Sequence, residues 1–261
     1  MIIDIHTHVF PDNIAEKASH GIEAFYGIDV QNNGRLENLL KTADDAGIDK
    51  VVIHSPATTP HQVTSINNFI YECTQKYPDR VIGFMTIHPD FENINQEVER
   101  CIGLGLKGLK LHPDFQRFNI DDKKALYIYE AIAGRLPLLV HTGDFRYQWS
   151  KPHRMAKVME EFPSMTVIGA HFGGWSEWDD AVRAFKGKNV YVDTSSSMYR
   201  IPLNYAEKLI RSYGVDHVLF GSDYPMWNSK DELEYIDRLN LTHEEKELIL
   251  HGNAERILNL K

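Results

Sequence analysis

Short runs rich in Val, Ile and Leu alternate along this chain with longer amphipathic stretches, the pattern of strand and crossover helix that builds a parallel sheet. Strands are predicted over 2–6, 50–54, 81–88, 106–112, 137–142, 166–171, 189–194 and 217–222. Helices are predicted over 35–46, 62–76, 93–103, 123–134, 153–161, 177–185, 205–213 and 230–239. This repeated alternation points to closure as a (β/α)8 TIM barrel, an α/β fold. The last segment, 244–260, reads as one or two helices packed under or beside the barrel and broken at Gly252. Residues 10–34 have weak periodicity, which predicts a loop or short-helix excursion over the barrel mouth, placed to act as a lid.

The chain has 261 residues, of which 43% are hydrophobic, enough for a sizeable core and close to the roughly 250 residues typical of one such barrel. No Gly- or Ser-rich linker or compositional shift divides it, so a single domain over 1–261 is expected. The net charge of -9 disfavours nonspecific attraction to nucleic acid or anionic membranes and makes a small molecule the expected partner. Cys73 and Cys101 form neither a disulfide framework nor a thiolate zinc site by their spacing, and read as buried structural thiols. With no basic segment leading into an apolar one at the N-terminus, and no long apolar run, a cytoplasmic location is expected. A homodimer is the commonest closed assembly and the first oligomer to test.

Residues able to bind or serve a metal recur at the C-terminal ends of the predicted strands, where barrels of this kind build their active sites. His6 and His8 are two apart, so in a regular strand they share one face while Ile5 points to the other. His141, His171 and Asp223 each stand just past an apolar run, and Gly108, Lys110 and His112 share a face by period-two counting. Imidazoles with a carboxylate suit a divalent ion of borderline hardness, and His6, His8, His141 and Asp223 are the expected ligands. Zinc is the expected ion, with manganese or a second ion as alternatives; zinc lowers the pKa of a bound water to about 7. His171 is expected to act as general acid or base rather than complete a second site. Lone His residues at strand ends are more often hydrogen-bonded than ligating, so the joint occurrence carries the signal.

Taken in chain order, these segments resemble the amidohydrolase superfamily, and within it the amidohydrolase-related TIM-barrel branch that includes aminocarboxymuconate semialdehyde decarboxylase. The resemblance rests on Ile3-Asp4-Ile5-His6-Thr7-His8, Gly108-Leu109-Lys110-Leu111-His112-Pro113, His141-Thr142-Gly143, Gly169-Ala170-His171-Phe172-Gly173-Gly174, Phe220-Gly221-Ser222-Asp223-Tyr224-Pro225 and Gly252-Asn253-Ala254. It implies a distorted barrel with one metal, usually zinc, held by His6, His8, His141 and Asp223, and His171 as the catalytic histidine. Lys110 lies where other branches carry a carbamylated lysine; an unmodified ammonium that binds a substrate carboxylate is the expectation here.

Around this set, His112, Arg117, Arg146 and Trp175 are expected to bind substrate, since Arg with aromatic groups suits a planar or unsaturated carboxylate. Asp4 is expected either to orient a ligand or to make a deeper structural hydrogen bond. The leading expectation is hydrolysis, with metal-activated water attacking an amide, ester or lactone while Asp223 or His171 handles the proton. Nonoxidative decarboxylation of an unsaturated or aromatic acid is the alternative, and a noncatalytic metal-binding barrel the reading from another class.

Overall fold

The computed structural model describes residues 1–260. Eight parallel strands, β1 (Ile3–His8), β2 (Lys50–His54), β3 (Val81–Thr86), β4 (Gly108–Leu111), β5 (Leu138–Val140), β6 (Val167–Gly169), β7 (Val190–Asp193) and β8 (Val218–Leu219), lie in sequence order. The sheet closes where the chain leaving β8 meets β1. Ile5 N donates to Phe220 O (2.9 Å), His8 N to Tyr224 O (2.7 Å) and Asp223 N to His6 O (2.9 Å). The result is the expected (β/α)8 barrel.

The helices are α1 (Ala15–Tyr26), α2 (Leu36–Ala46), α3 (Val63–Lys76), α4 (Ile94–Gly103), α5 (Pro113–Gln116), α6 (Lys123–Ile132), α7 (Pro152–Glu161), α8 (Trp178–Phe185), α9 (Leu203–Tyr213), α10 (Ser229–Arg238), α11 (His243–Glu247) and α12 (Asn253–Leu258). The low-periodicity excursion thus contains a helix of 12 residues, α1, ended by Gly27 in the left-handed conformation. Gly252 does not break the final segment. It is helical, at φ -57°, because a π turn over Leu248–Gly252 carries α11 into α12. Within that turn Ile249 O accepts from Phe220 N at 2.9 Å, which anchors the segment to the barrel.

Two apolar layers follow from the period-two alternation of the strands. The outward layer, with Val51, Ile53, Leu109, Val140 and Val192, packs under the helices. The inward layer, with Ile3, Ile5, Val52, Phe84, Leu139, Ile168 and Leu219, fills the barrel, and Ala254 and Leu258 of α12 pack against it. Asn253 Nδ2 donates to Val215 O (2.8 Å) and Val218 O (2.7 Å) at the start of β8, so α12 sits at the N-terminal end of the barrel. The opposite, C-terminal end is left for chemistry. Gly108 faces the ring of Phe84; a Cβ there would come within 2.5 Å of it, so the bulky Phe84 requires glycine at its neighbour.

The strict alternation expected for β1 fails. Ile5 lies in the inward layer with Ile3, yet His6 and His8 also face the barrel mouth. The pairing of β1 with β2 slips between Asp4 and Thr7, and this bulge changes the phase of the strand. One extra residue turns both imidazoles inward above an apolar floor.

Candidate active site

Seven of the eight strands deliver polar side chains from or just past their ends to one buried cluster. His6 Nε2 lies 3.2 Å from His8 Nε2. Asp223 Oδ1 is 3.3 Å from the first and 3.4 Å from the second of these nitrogens. A tetrahedral ion bound at about 2.0–2.1 Å separates its ligand atoms by about 3.3 Å, so these three atoms already stand at the mutual distances of donors around one such ion. The set also leaves buried polar atoms without a hydrogen-bond partner, His8 Nδ1 and both nitrogens of His54 among them. A site of buried imidazole nitrogens beside an ionised carboxylate fits a divalent cation in its chemistry.

Several backbone features aim these groups. Gly221 follows β8, and a Cβ there would come within 2.9 Å of His6 Cβ, so glycine is what allows β1 and the chain after β8 to approach. His171 (φ 60°), Ser196 (φ 45°) and Asp223 (φ 63°) are non-glycine residues in the left-handed region. At the end of β6, Ala170 belongs to the inward layer, so regular alternation would turn His171 outward. The left-handed turn brings its imidazole back to the site, 5.1 Å between ring centres from His6. Asp4 proves to be a structural link: its Oδ1 accepts from His6 N (3.1 Å) and Ser222 N (3.0 Å), tying β1 to the chain after β8.

Asp193, at the end of β7, organises the floor of the cluster. Its Oδ2 is 2.8 Å from His6 Nδ1, and its Oδ1 accepts from His171 N (2.9 Å) and Ser195 Oγ (2.5 Å). A carboxylate on Nδ1 favours the tautomer whose lone pair lies on His6 Nε2, the nitrogen turned to His8 and Asp223. Asp193 is absent from the site expected on sequence, although Val190-Tyr191-Val192-Asp193 carries the same signal as the others, a ligand-type residue closing an apolar strand. His54, likewise absent from the site expected on sequence, ends β2 fully buried and sits edge-on to His8 at 4.4 Å. It forms with His6 and His8 a group able to hold an ion.

His141 stands on the flank. Its Nδ1 lies 3.0 Å from His171 Nε2, and its Nε2 is 3.4 Å from Asp114 Oδ2, so it also belongs to a buried group with His112 and Asp114. Lys110 is fully buried with Nζ 2.8 Å from His6 Nε2. His112 is stacked between Phe115 (3.8 Å) and His141 (4.1 Å), with Nε2 at 2.9 Å from Tyr26 Oη. Tyr26 is the last residue of α1, so the excursion covers the site. Arg146 secures that cover: it pairs with Asp144 (2.7 Å), donates to Phe25 O (2.7 Å) and lies over the rings of Phe25, Tyr26, Tyr147 and Trp175. Trp175 lines a small cleft with His171, Tyr199, Asp223 and Trp227. Arg117 is exposed and borders a larger cavity beside His8.

The electrostatics follow from burial and charge. Burial pushes up the carboxyls of Asp193 and Asp223, but the imidazoles of His6 and His171 outweigh it and hold both well below the usual carboxylate range. Burial lowers His8 to about 3 and His171 to about 4, and it lowers Lys110 to about 8 against the pull of Asp223 and Asp193. Asp193 and Asp223 therefore stay ionised, and burial keeps the imidazoles of His8 and His171 neutral near pH 7.

The chain matches the Amidohydrolase family over residues 3–260 and belongs to it. No curated protein matches. Among solved structures, it is similar to an uncharacterised TIM-barrel protein from Bordetella bronchiseptica, with TM-score 0.80 and 21% identity over 99% of this chain and 98% of that one. It is similar to 5-carboxyvanillate decarboxylase LigW from Sphingomonas paucimobilis, with TM-score 0.77 and 16% identity over 100% and 99% of the two chains. A dihydroxybenzoic acid decarboxylase from Polaromonas sp. JS666, solved with manganese and the inhibitor 2-nitroresorcinol, has TM-score 0.76 and 17% identity over 99% and 97%. At these identities the likeness is one of fold.

Proposed function

We propose that this protein is a metal-dependent carboxy-lyase that removes CO2 from an unsaturated or aromatic carboxylic acid without redox change, which reverses the order of the two enzymatic readings taken from sequence. One observation carries it: the fully buried Lys110 ammonium stands 2.8 Å from His6 Nε2, against the His6–His8–Asp223 set, which makes the site suited to an acidic substrate. Similar folds that carry decarboxylase names support the reading.

His6, His8 and Asp223 would hold the ion, with His141 as the fourth ligand; manganese and zinc both suit such donors. When bound, the ion supplies Lewis acidity at a substrate oxygen and to water. Lys110 orients the carboxylate that is lost. The bond between that carboxylate and its carbon breaks with the electron pair left on the carbon, CO2 departs, and His171, neutral in the resting site, takes up a proton from solvent as the anionic substrate binds and delivers it to that carbon. Ser195 holds the other side of His171, its Oγ 2.8 Å from Nδ1, which leaves Nε2 facing His141, the proposed fourth ligand, at 3.0 Å.

Hydrolysis is the second reading, and one observation favours it. The space bounded by His6, His8, Tyr26, Phe115 and Asp223 is about 20 Å³, room for one water beside the ligand atoms. A panel of aromatic and unsaturated acids, amides, esters and lactones incubated with metal-loaded protein in D2O separates the two. Release of CO2 with deuterium at the vacated carbon is expected; cleavage of an amide, ester or lactone without CO2 would overturn the lyase assignment.

A further inference from the structure

A cavity of about 480 Å³ opens beside His8, between α1 and α3. Its size falls in the range of small-molecule sites, while the space directly over the His6–His8–Asp223 set has room for about one water. The body of any larger substrate needs another place, and the two spaces share His8, Ile22 and Phe115 as common walls.

The walls are apolar for a reason visible in α1. Ala18, Gly21, Ile22 and Phe25 recur at the spacing of one helical stripe, and that stripe faces the cavity. Ile66 and Phe69 of α3 line it too, and Ile14, 45% exposed, stands at its edge. Apolar surface turned to such a space gains by covering it with an apolar ligand. The lining includes one guanidinium and no ammonium: Arg117, exposed and without an ion pair among the described residues. Asp114 also borders the cavity, with its Oδ2 turned to Ser150 Oγ at 2.6 Å.

We propose that this cavity holds the body of the substrate, an elongated acid whose reacting end lies at His8 and Asp223, whose apolar segment lies between α1 and α3, and whose second anionic group meets Arg117. The nature of the reacting end rests on the decarboxylase reading; the cavity does not.

The probes are straight-chain monocarboxylates and α,ω-dicarboxylates of increasing length, titrated by calorimetry into manganese-loaded full-length protein. Monocarboxylate binding should tighten about fourfold per added methylene until the cavity is full. Gly21→Phe should abolish that dependence. A Cβ at Gly21 meets nothing within 4 Å, so the variant should fold, and unchanged thermal unfolding confirms it. Ala18→Phe, on the same stripe, should act alike. Arg117→Ala should weaken dicarboxylates roughly tenfold and leave monocarboxylates unchanged.

Binding that ignores chain length, or that Gly21→Phe and Ala18→Phe leave intact, overturns the cavity assignment. Equal loss for both probe series in Arg117→Ala overturns its role at the second anionic group. Length-dependent binding in a protein that releases no CO2 from the acid panel leaves the cavity standing and removes the lyase reading. CO2 release with length-independent binding does the reverse.

Discussion

His171, Ser196 and Asp223 owe their positions to left-handed backbone that only a surrounding structure can impose on non-glycine residues. This makes asparagine the right probe at His171, because Asn tolerates that conformation better than most residues while lacking an imidazole. His171→Asn should keep metal content and lower turnover at least about a hundredfold; an unchanged rate would remove His171 from proton transfer. Ser196 donates to Asp223 Oδ2 and accepts from Trp227 Nε1 at 2.7 Å, leaving Asp223 Oδ1 turned to His6 and His8. On the proposed ligand set, Ser196→Ala should weaken metal binding by about 10–100-fold in competition with a chelator, and unaltered affinity would make the contact incidental. Sequence spacing finds Lys110 and His112 because β4 is regular. It does not find Ser196, because nothing in a run of three serines says which one turns toward the carboxylate.

At the level of elements, α1 and the bulge in β1 show where pattern reading loses its grip. The stripe Ala18, Gly21, Ile22, Phe25 is weakly apolar and faces a cavity rather than the core, so it gives little of the periodicity that marked the barrel helices. A bulge leaves no trace in composition at all. Between α3 and α4 a polar network fixes the helices to β3: Asn67 donates to Glu97 Oε1 (2.8 Å) and to Thr86 O (3.1 Å), and Arg100 pairs with Glu97 (2.6 Å). Burial pushes up the Glu97 carboxyl, but Arg100 and Asn67 outweigh it and the net shift is downward from 4.5. A carboxyl held lower in the folded than in the unfolded chain stabilises above its unfolded value and loses that contribution as pH falls through its folded value. Glu97→Gln should therefore cost about 1–3 kcal/mol near neutral pH and progressively less on acidification below 4.5, read from urea unfolding at several pH values. A cost independent of pH would contradict the ionised network.

For the whole molecule, an ion that binds the folded chain and not the unfolded one must raise its stability by mass action, by about 2.7 kcal/mol at a hundredfold excess over its dissociation constant. Adding manganese or zinc to chelator-treated protein should raise the melting temperature and saturate near about one ion per chain. Saturation near about two would bring Lys110 and the group of His112, Asp114 and His141 into the metal site, and no shift at all would end the metal assignment. The barrel itself, its order of strands and the addresses of His6, His8, Lys110, His141, His171 and Asp223 were legible in the sequence. They are set by alternation between buried strand and amphipathic helix, a local and periodic property. What only the tertiary structure decided is which of these groups meet: Asp193 under His6, His54 against His8, His141 shared with Asp114, and α1 closed over the mouth by Arg146. Those contacts join residues far apart in the chain, and their geometry depends on a bulge, left-handed turns and barrel closure, none of which has a periodic signature.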